Sequence, residues 1–171
     1  QCVEVLARVS VATIHVFPGA VSDIGAMIGR AVIKRVEEGN FSPLDIIICV
    51  NFLNAPAMFK EAAHRVLQTQ QQRAYLDEKV GFVESLVKRN GANPSAEMLE
   101  EDPLVCYAGD ADDLPVDAEA FVGQPPEGVN LVLLDNLATR SVYKIWVGNM
   151  RHLSVALNGQ WRGHTFIERH R

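Results

Sequence analysis

The chain has 171 residues, 48% of them hydrophobic and 22% charged, with a formal net charge of −5. This is enough apolar material for one packed core, and an acidic balance without a basic stripe excludes nucleic acid as the main partner, because phosphate binding needs clustered Lys and Arg. Cys2, Cys49 and Cys106 are odd in number and form no C-x2-C pair, which excludes a disulfide framework and a structural zinc site and fits a reducing, cytoplasmic compartment.

Val9 to Phe17 is rich in β-branched residues and runs into Pro18-Gly19, which predicts a buried strand leading to a loop. Ile24 to Glu38 shows helical spacing and stops at Gly39-Asn40. Leu44 to Val50 is a short apolar run suited to a strand buried on both faces, and Pro56 to about Leu76 returns to helix, with Gln70 to Gln72 polar and exposed. The order strand, helix, strand, helix is that of a parallel, doubly wound α/β sheet. His15 and His64 fall on core-like or amphipathic segments and read as structural.

Beyond Lys79, Val80 to Val87 is a further strand and Asn90 to Pro94 a turn-prone break. Leu104 to Tyr107 is a short strand before the acidic Gly109-Asp110-Ala111-Asp112-Asp113 loop. Its carboxylates do not follow the EF-hand spacing, so the loop reads as solvated surface. Phe121 to Gly128 is loop-like, and from Leu131 the pattern becomes helical. Residues 1–90 are therefore expected to form a partial Rossmann-like α/β region, 91–130 connecting strands and loops, and 131–171 the start of a helical substrate domain. The locally basic end, Arg162, His164, Arg169, His170 and Arg171, reads as solvated, with an anionic substrate group as the alternative.

No G-x-G-x-x-G turn is present to cradle a pyrophosphate, and Gly19, Gly25 and Gly29 have the wrong spacing. The chain thus reads as the second half of an α/β sheet, and a sheet without its first half exposes an edge that invites pairing. No run reaches the length of a membrane span, and residues 1 to 17 carry no charged segment followed by a cleavage site, so the protein is expected to be soluble.

Within the apolar, helix-periodic stretch from Tyr143 to His152, the residues Lys144, Asn149 and His152 form a K-x4-N-x2-H array. At about 100° per residue the three side chains fall within an arc of roughly 140°. A base, an amide and an imidazole on one face suit a hydroxyl or carbonyl group. A desolvated lysine of lowered pKa can take the O–H proton as an alcohol is oxidised, while Asn and His stabilise the oxygen. Asn51, which follows an apolar strand, stands where open α/β sheets place ligands; alone, it reads as a strand-end cap.

Four segments in order resemble the long-chain polyol dehydrogenases, the mannitol dehydrogenase family, and most closely its mannitol-1-phosphate 5-dehydrogenase branch. They are Ile33-Lys34-Arg35 through Gly39-Asn40, Ser42-Pro43-Leu44 and Asn51; Val80-Gly81-Phe82-Val83-Glu84-Ser85; Asp102-Pro103-Leu104 with Phe121-Val122-Gly123; and Asp135-Asn136-Leu137 with Lys144, Asn149, His152, Gly159 and Gly163. The resemblance implies a Rossmann domain followed by a mostly helical domain, NAD as hydride carrier, no metal, and a sugar alcohol or its phosphate as substrate. By position, Lys144 is similar to the catalytic base, Asn149 and His152 to the residues that bind and polarise the reacting oxygen, and Asn51 to an active-site asparagine. Departures are Val50 in place of an acid, Lys88 in place of an acid, Val142-Tyr143 in place of E-R, and Asn158 in place of an apolar residue. The alternative reading is a shortened homologue without catalysis that serves as a sugar-phosphate-binding or interaction module.

Overall fold

The computed structural model describes residues 1–88 and 91–164. Three parallel strands, β1 (Val11–Ile14), β2 (Leu44–Ile48) and β3 (Val80–Glu84), lie side by side in sequence order. After a short helix α1 (Cys2–Leu6), α2 (Val21–Glu37) connects β1 to β2, while α3 (Ala55–His64) and α4 (Gln70–Lys79) connect β2 to β3. Parallel neighbours joined by helices and running in sequence order are the arrangement of one half of a doubly wound sheet, and the α/β class is as the sequence predicts.

All five residues of β2 are buried, which explains why all but Asp45 are apolar. Leu44, Ile46 and Ile48 pack with Ile28 and Val32 of α2 and Phe59 of α3, whereas Ile47 packs with Val83 and Val116 on the opposite face. Each such side chain contributes about 1.5–3 kcal/mol on full burial. Helices α2 and α3 approach so closely that a Cβ at Gly25 or Gly29 would overlap Ala62 or Val66. Two glycines with the wrong spacing for a phosphate loop are therefore helix-packing contacts.

The motif around Gly39-Asn40 holds the chain entering β2. Arg35 is fully buried, and its guanidinium donates to the Tyr75 hydroxyl (2.6 Å), the Val9 carbonyl (2.9 Å) and the Ser42 carbonyl (2.9 Å) and hydroxyl (3.0 Å). A buried cation is tolerable only when its donors are satisfied in this way. Gly39 adopts φ +70°, a left-handed turn that favours glycine. Asn40 then donates to the Ala7 carbonyl and accepts from Ser42.

Beyond β3, β4 (Gly91–Ala92) pairs antiparallel with β5 (Tyr107–Ala108), with α5 (Ala96–Glu101) between them. Strand β6 (Leu114–Asp117) pairs in parallel with β7 (Leu131–Leu134), and a bridge from Ser85 to Val116 ties β6 to the end of β3. Buried Asp45 fastens the loop before β7: its two carboxylate oxygens accept from the backbone N–H groups of Val122 (2.8 Å) and Gly123 (2.9 Å). A Cβ at Gly81 would overlap that carboxylate. Two glycines of the family-like motifs thus make room for one buried acid.

Several expectations are corrected. Leu131–Leu134 is a strand, not the start of a helix, because β6 offers it backbone partners; the helix α6 (Leu137–Tyr143) begins after Asn136, which adopts φ 58°. The helix expected from Pro56 to about Leu76 is two helices. Its break is a capping box at Thr69, in which Gln72 is buried and its side chain accepts from the N–H groups of Gln68 and Thr69. Thr69-x-x-Gln72 was the sequence signal. The strand expected from Leu104 starts at Tyr107, and Leu104 is exposed. Strand β1 is shorter than expected and leaves Thr13 and His15 exposed, since among the described residues it is paired on one side alone. His64 contacts Asp77 between α3 and α4 (3.0 Å). Asn90, Arg169, His170 and Arg171 lie outside the described residues.

Candidate functional site

After α6, Lys144–Gly148 forms a π-helical turn, and α7 (Asn149–Trp161) completes the helical segment. The K-x4-N-x2-H array therefore does not sit on one uninterrupted α-helix. Lys144 opens the π turn, and Asn149 is the first residue of α7.

Lys144 Nζ donates to Asn51 Oδ1 (3.2 Å) and to the Val87 carbonyl (2.8 Å). Asn51 lies in the loop from β2 to α3, and Val87 follows β3, so the lysine is held at the C-terminal edge of the parallel sheet, where such folds bind ligands. Half-burial of Lys144 lowers the pKa of its amine below the ordinary lysine range, because desolvation disfavours the ammonium form. A neutral amine that donates its two N–H groups to these two acceptors keeps its lone pair in the remaining tetrahedral direction. Such a group can accept a proton from a hydroxyl placed there.

Asn149 is exposed and lines a mostly apolar cavity of about 340 Å³ with Leu53, Trp146 and Leu153. His152 is exposed one turn further along α7. Neither side chain forms a hydrogen bond among the described residues, so the array is brought to one side of the β2–α3 loop through Lys144 and Asn149, and His152 is not joined to it by direct contact. A second cavity, of about 280 Å³, also has Leu53 in its wall and is lined by Asn54, Glu84, Asp117, Phe82 and Val142.

Sequence reasoning did not find the Val87 carbonyl, because a backbone acceptor leaves no residue-type signal. Nor did it find that Lys88, which departs from the family-like pattern, pairs with Asp113 of the acidic loop (2.6 Å). This contact and the hydrogen bond from the Leu86 N–H to the Pro115 carbonyl (2.8 Å) tether the segment that presents Val87. Asn158, another departure, donates to the Ser154 carbonyl one turn earlier (2.8 Å). Ser141, one turn before Lys144, is buried with its hydroxyl unpartnered among the described residues.

Among the described residues no group of three or more His, Cys, Asp or Glu is placed to hold a metal ion. Among the described residues no glycine-rich turn, the usual cradle of a dinucleotide's pyrophosphate, precedes the helix after β1. The helix following β1 is entered through Phe17-Pro18-Gly19-Ala20, and its Gly25 and Gly29 are occupied by contacts to α3.

The chain matches the mannitol dehydrogenase Rossmann domain family over residues 1–132. Among solved structures it is similar to Pseudomonas fluorescens mannitol 2-dehydrogenase in its ternary complex with NAD and D-mannitol, with a TM-score of 0.73 and 16% sequence identity, over 95% of this chain and 41% of that one. At that identity the likeness is one of fold, and the chain spans less than half the length of the structure it matches.

Proposed function

Because the chain belongs to the mannitol dehydrogenase family, we propose that it serves the oxidation of a sugar alcohol, with Lys144 as general base and NAD as hydride acceptor. The observation that carries this reading is the pair of hydrogen bonds from Lys144 Nζ to Asn51 Oδ1 and the Val87 carbonyl. They fix a half-buried amine of lowered pKa at the ligand-binding edge of the sheet. NAD supplies the electron sink in this reading; the similar P. fluorescens enzyme carries it in its complex with mannitol.

The chain's own groups act on the hydroxyl. The lone pair of Lys144 takes the O–H proton, and the resulting ammonium keeps Asn51 and Val87 as acceptors. Asn51, with its oxygen committed to Lys144, has its amide N–H groups left to donate to the substrate. Asn149 and His152 are assigned to the same oxygen, where donors stabilise changing charge.

The motif resemblance points to a phosphorylated substrate such as mannitol 1-phosphate. The adjoining cavity, with the carboxylates of Glu84 and Asp117 in its wall, is better suited to hydroxyl donors than to a phosphate, since like charges repel. The test is NAD reduction by this chain with D-mannitol and with mannitol 1-phosphate in parallel, with Lys144→Met as control. Turnover lost in the variant supports the assignment of Lys144; turnover unchanged by the substitution removes it. The preferred substrate decides between the two polyol forms.

A further inference from the structure

The π turn at Lys144–Gly148 breaks an otherwise regular helix at the residue that reaches Asn51. In an uninterrupted α-helix, at roughly 100° per residue, Asn149 would lie about 140° round from Lys144. Ile145, Trp146, Met150 and Leu153 would then centre on the face opposite the lysine. Lys144 in fact reaches Asn51, while Asn149 lines a cavity with Leu53, two residues further along the same loop, together with those four side chains. Both residues face one loop.

A π turn closes i→i+5 hydrogen bonds and rotates less per residue than an α-helix, so residue i+5 comes back round toward residue i. Lys144 and Asn149 are spaced in this way. The turn forgoes regular α-helical bonding, and a local rule broken at a site is the kind of departure that function explains. We propose that the π turn is a registration device: its one extra residue carries Asn149, and with it the start of α7, onto the side of the helix that Lys144 occupies, so that one substrate meets both. This deepens, and rests on, the reading of Lys144 as the base.

Removing one residue from the turn restores α-helical register. Val147 is exposed and lies outside both cavity linings; its deletion puts Asn149 four residues after Lys144, about 40° round in an α-helix, so the two stay on one side, whereas an alanine inserted after Gly148 turns Asn149 and His152 about 100° away. The register is read without any ligand from a cysteine pair, Leu53→Cys with Asn149→Cys, in a chain whose native cysteines are replaced. Disulfide formation should slow at least about tenfold on the insertion and stay unchanged on the deletion; equal rates in the inserted chain, or a loss of about tenfold in the deleted one, overturn the proposal. Should either variant fail to fold, the intact chain still decides. An NMR contact from the Lys144 Hα to the Asn149 amide is expected, and an α-helical contact pattern in its place overturns the proposal.

With D-mannitol and NAD as probes, the insertion should lower turnover about 100-fold or more while the pKa of Lys144, read by NMR, stays lowered. Unchanged turnover in the inserted chain overturns the registration role and leaves Lys144 as base intact. Unchanged turnover in Lys144→Met instead removes the reading beneath it.

Discussion

Lys144 Nζ lies 3.2 Å from Asn51 Oδ1, although 93 residues of sequence separate the two. The contact joins the helical segment to the C-terminal edge of the sheet. Together with the 2.8 Å bond to the Val87 carbonyl, it fixes where the amine points.

The lowered pKa of Lys144 gives stability a defined pH dependence. Between the folded and the ordinary pKa, the unfolded chain binds more protons than the folded one, so stability rises with pH through that window. In Lys144→Met this rise should disappear. Thermal unfolding across the alkaline range checks it, and an unchanged slope in the variant would show that Lys144 is not its source.

Asn51→Asp places a carboxylate where a neutral oxygen accepts from Lys144 Nζ. An opposite charge at that distance favours the ammonium form and should raise the lysine pKa. The pH–rate profile for polyol oxidation should then begin its rise at correspondingly higher pH. A profile superimposable on that of the unmodified chain would contradict the assignment of Lys144 as base.

Arg35→Met keeps much of the side-chain volume but removes the donors that reach Tyr75, Val9 and Ser42. Buried acceptors left without partners should cost on the order of 3 kcal/mol. Urea unfolding measures this, and a loss below about 0.5 kcal/mol would mean that the network contributes little.

Ser141→Ala removes a buried hydroxyl that has no partner among the described residues. Deleting an unsatisfied polar group should leave stability unchanged or raise it by about 1 kcal/mol. A clear destabilisation would show that the hydroxyl is hydrogen-bonded in solution. Polyol oxidation by the same variant reports whether the hydroxyl also serves the neighbouring lysine.

The parallel α/β core was legible because a fully buried strand such as Leu44–Ile48 is apolar except at Asp45, whose carboxylate is met by backbone N–H groups, and because α2 keeps helical spacing up to a left-handed Gly39. The candidate site was legible only in the residue types that meet there, an amide after β2 and a lysine in an apolar helix. Other elements were not. Leu131–Leu134 is strand or helix by composition, and its pairing with β6 settles a choice that four apolar residues leave open. Gln72 looked exposed as part of a polar run until the capping box gave its side chain two backbone donors.

By itself the sequence determined which segments are buried and which residue types stand at the site, because periodicity and turn chemistry act over a few neighbouring residues. The tertiary structure decided the rest. It set the Val87 carbonyl against Lys144, Asp45 against the Val122 and Gly123 amides, and a π turn in place of a regular helix. Each of these depends on which backbone groups distant parts of the chain bring together, and every residue carries the same backbone acceptor, so side-chain identity holds no record of it.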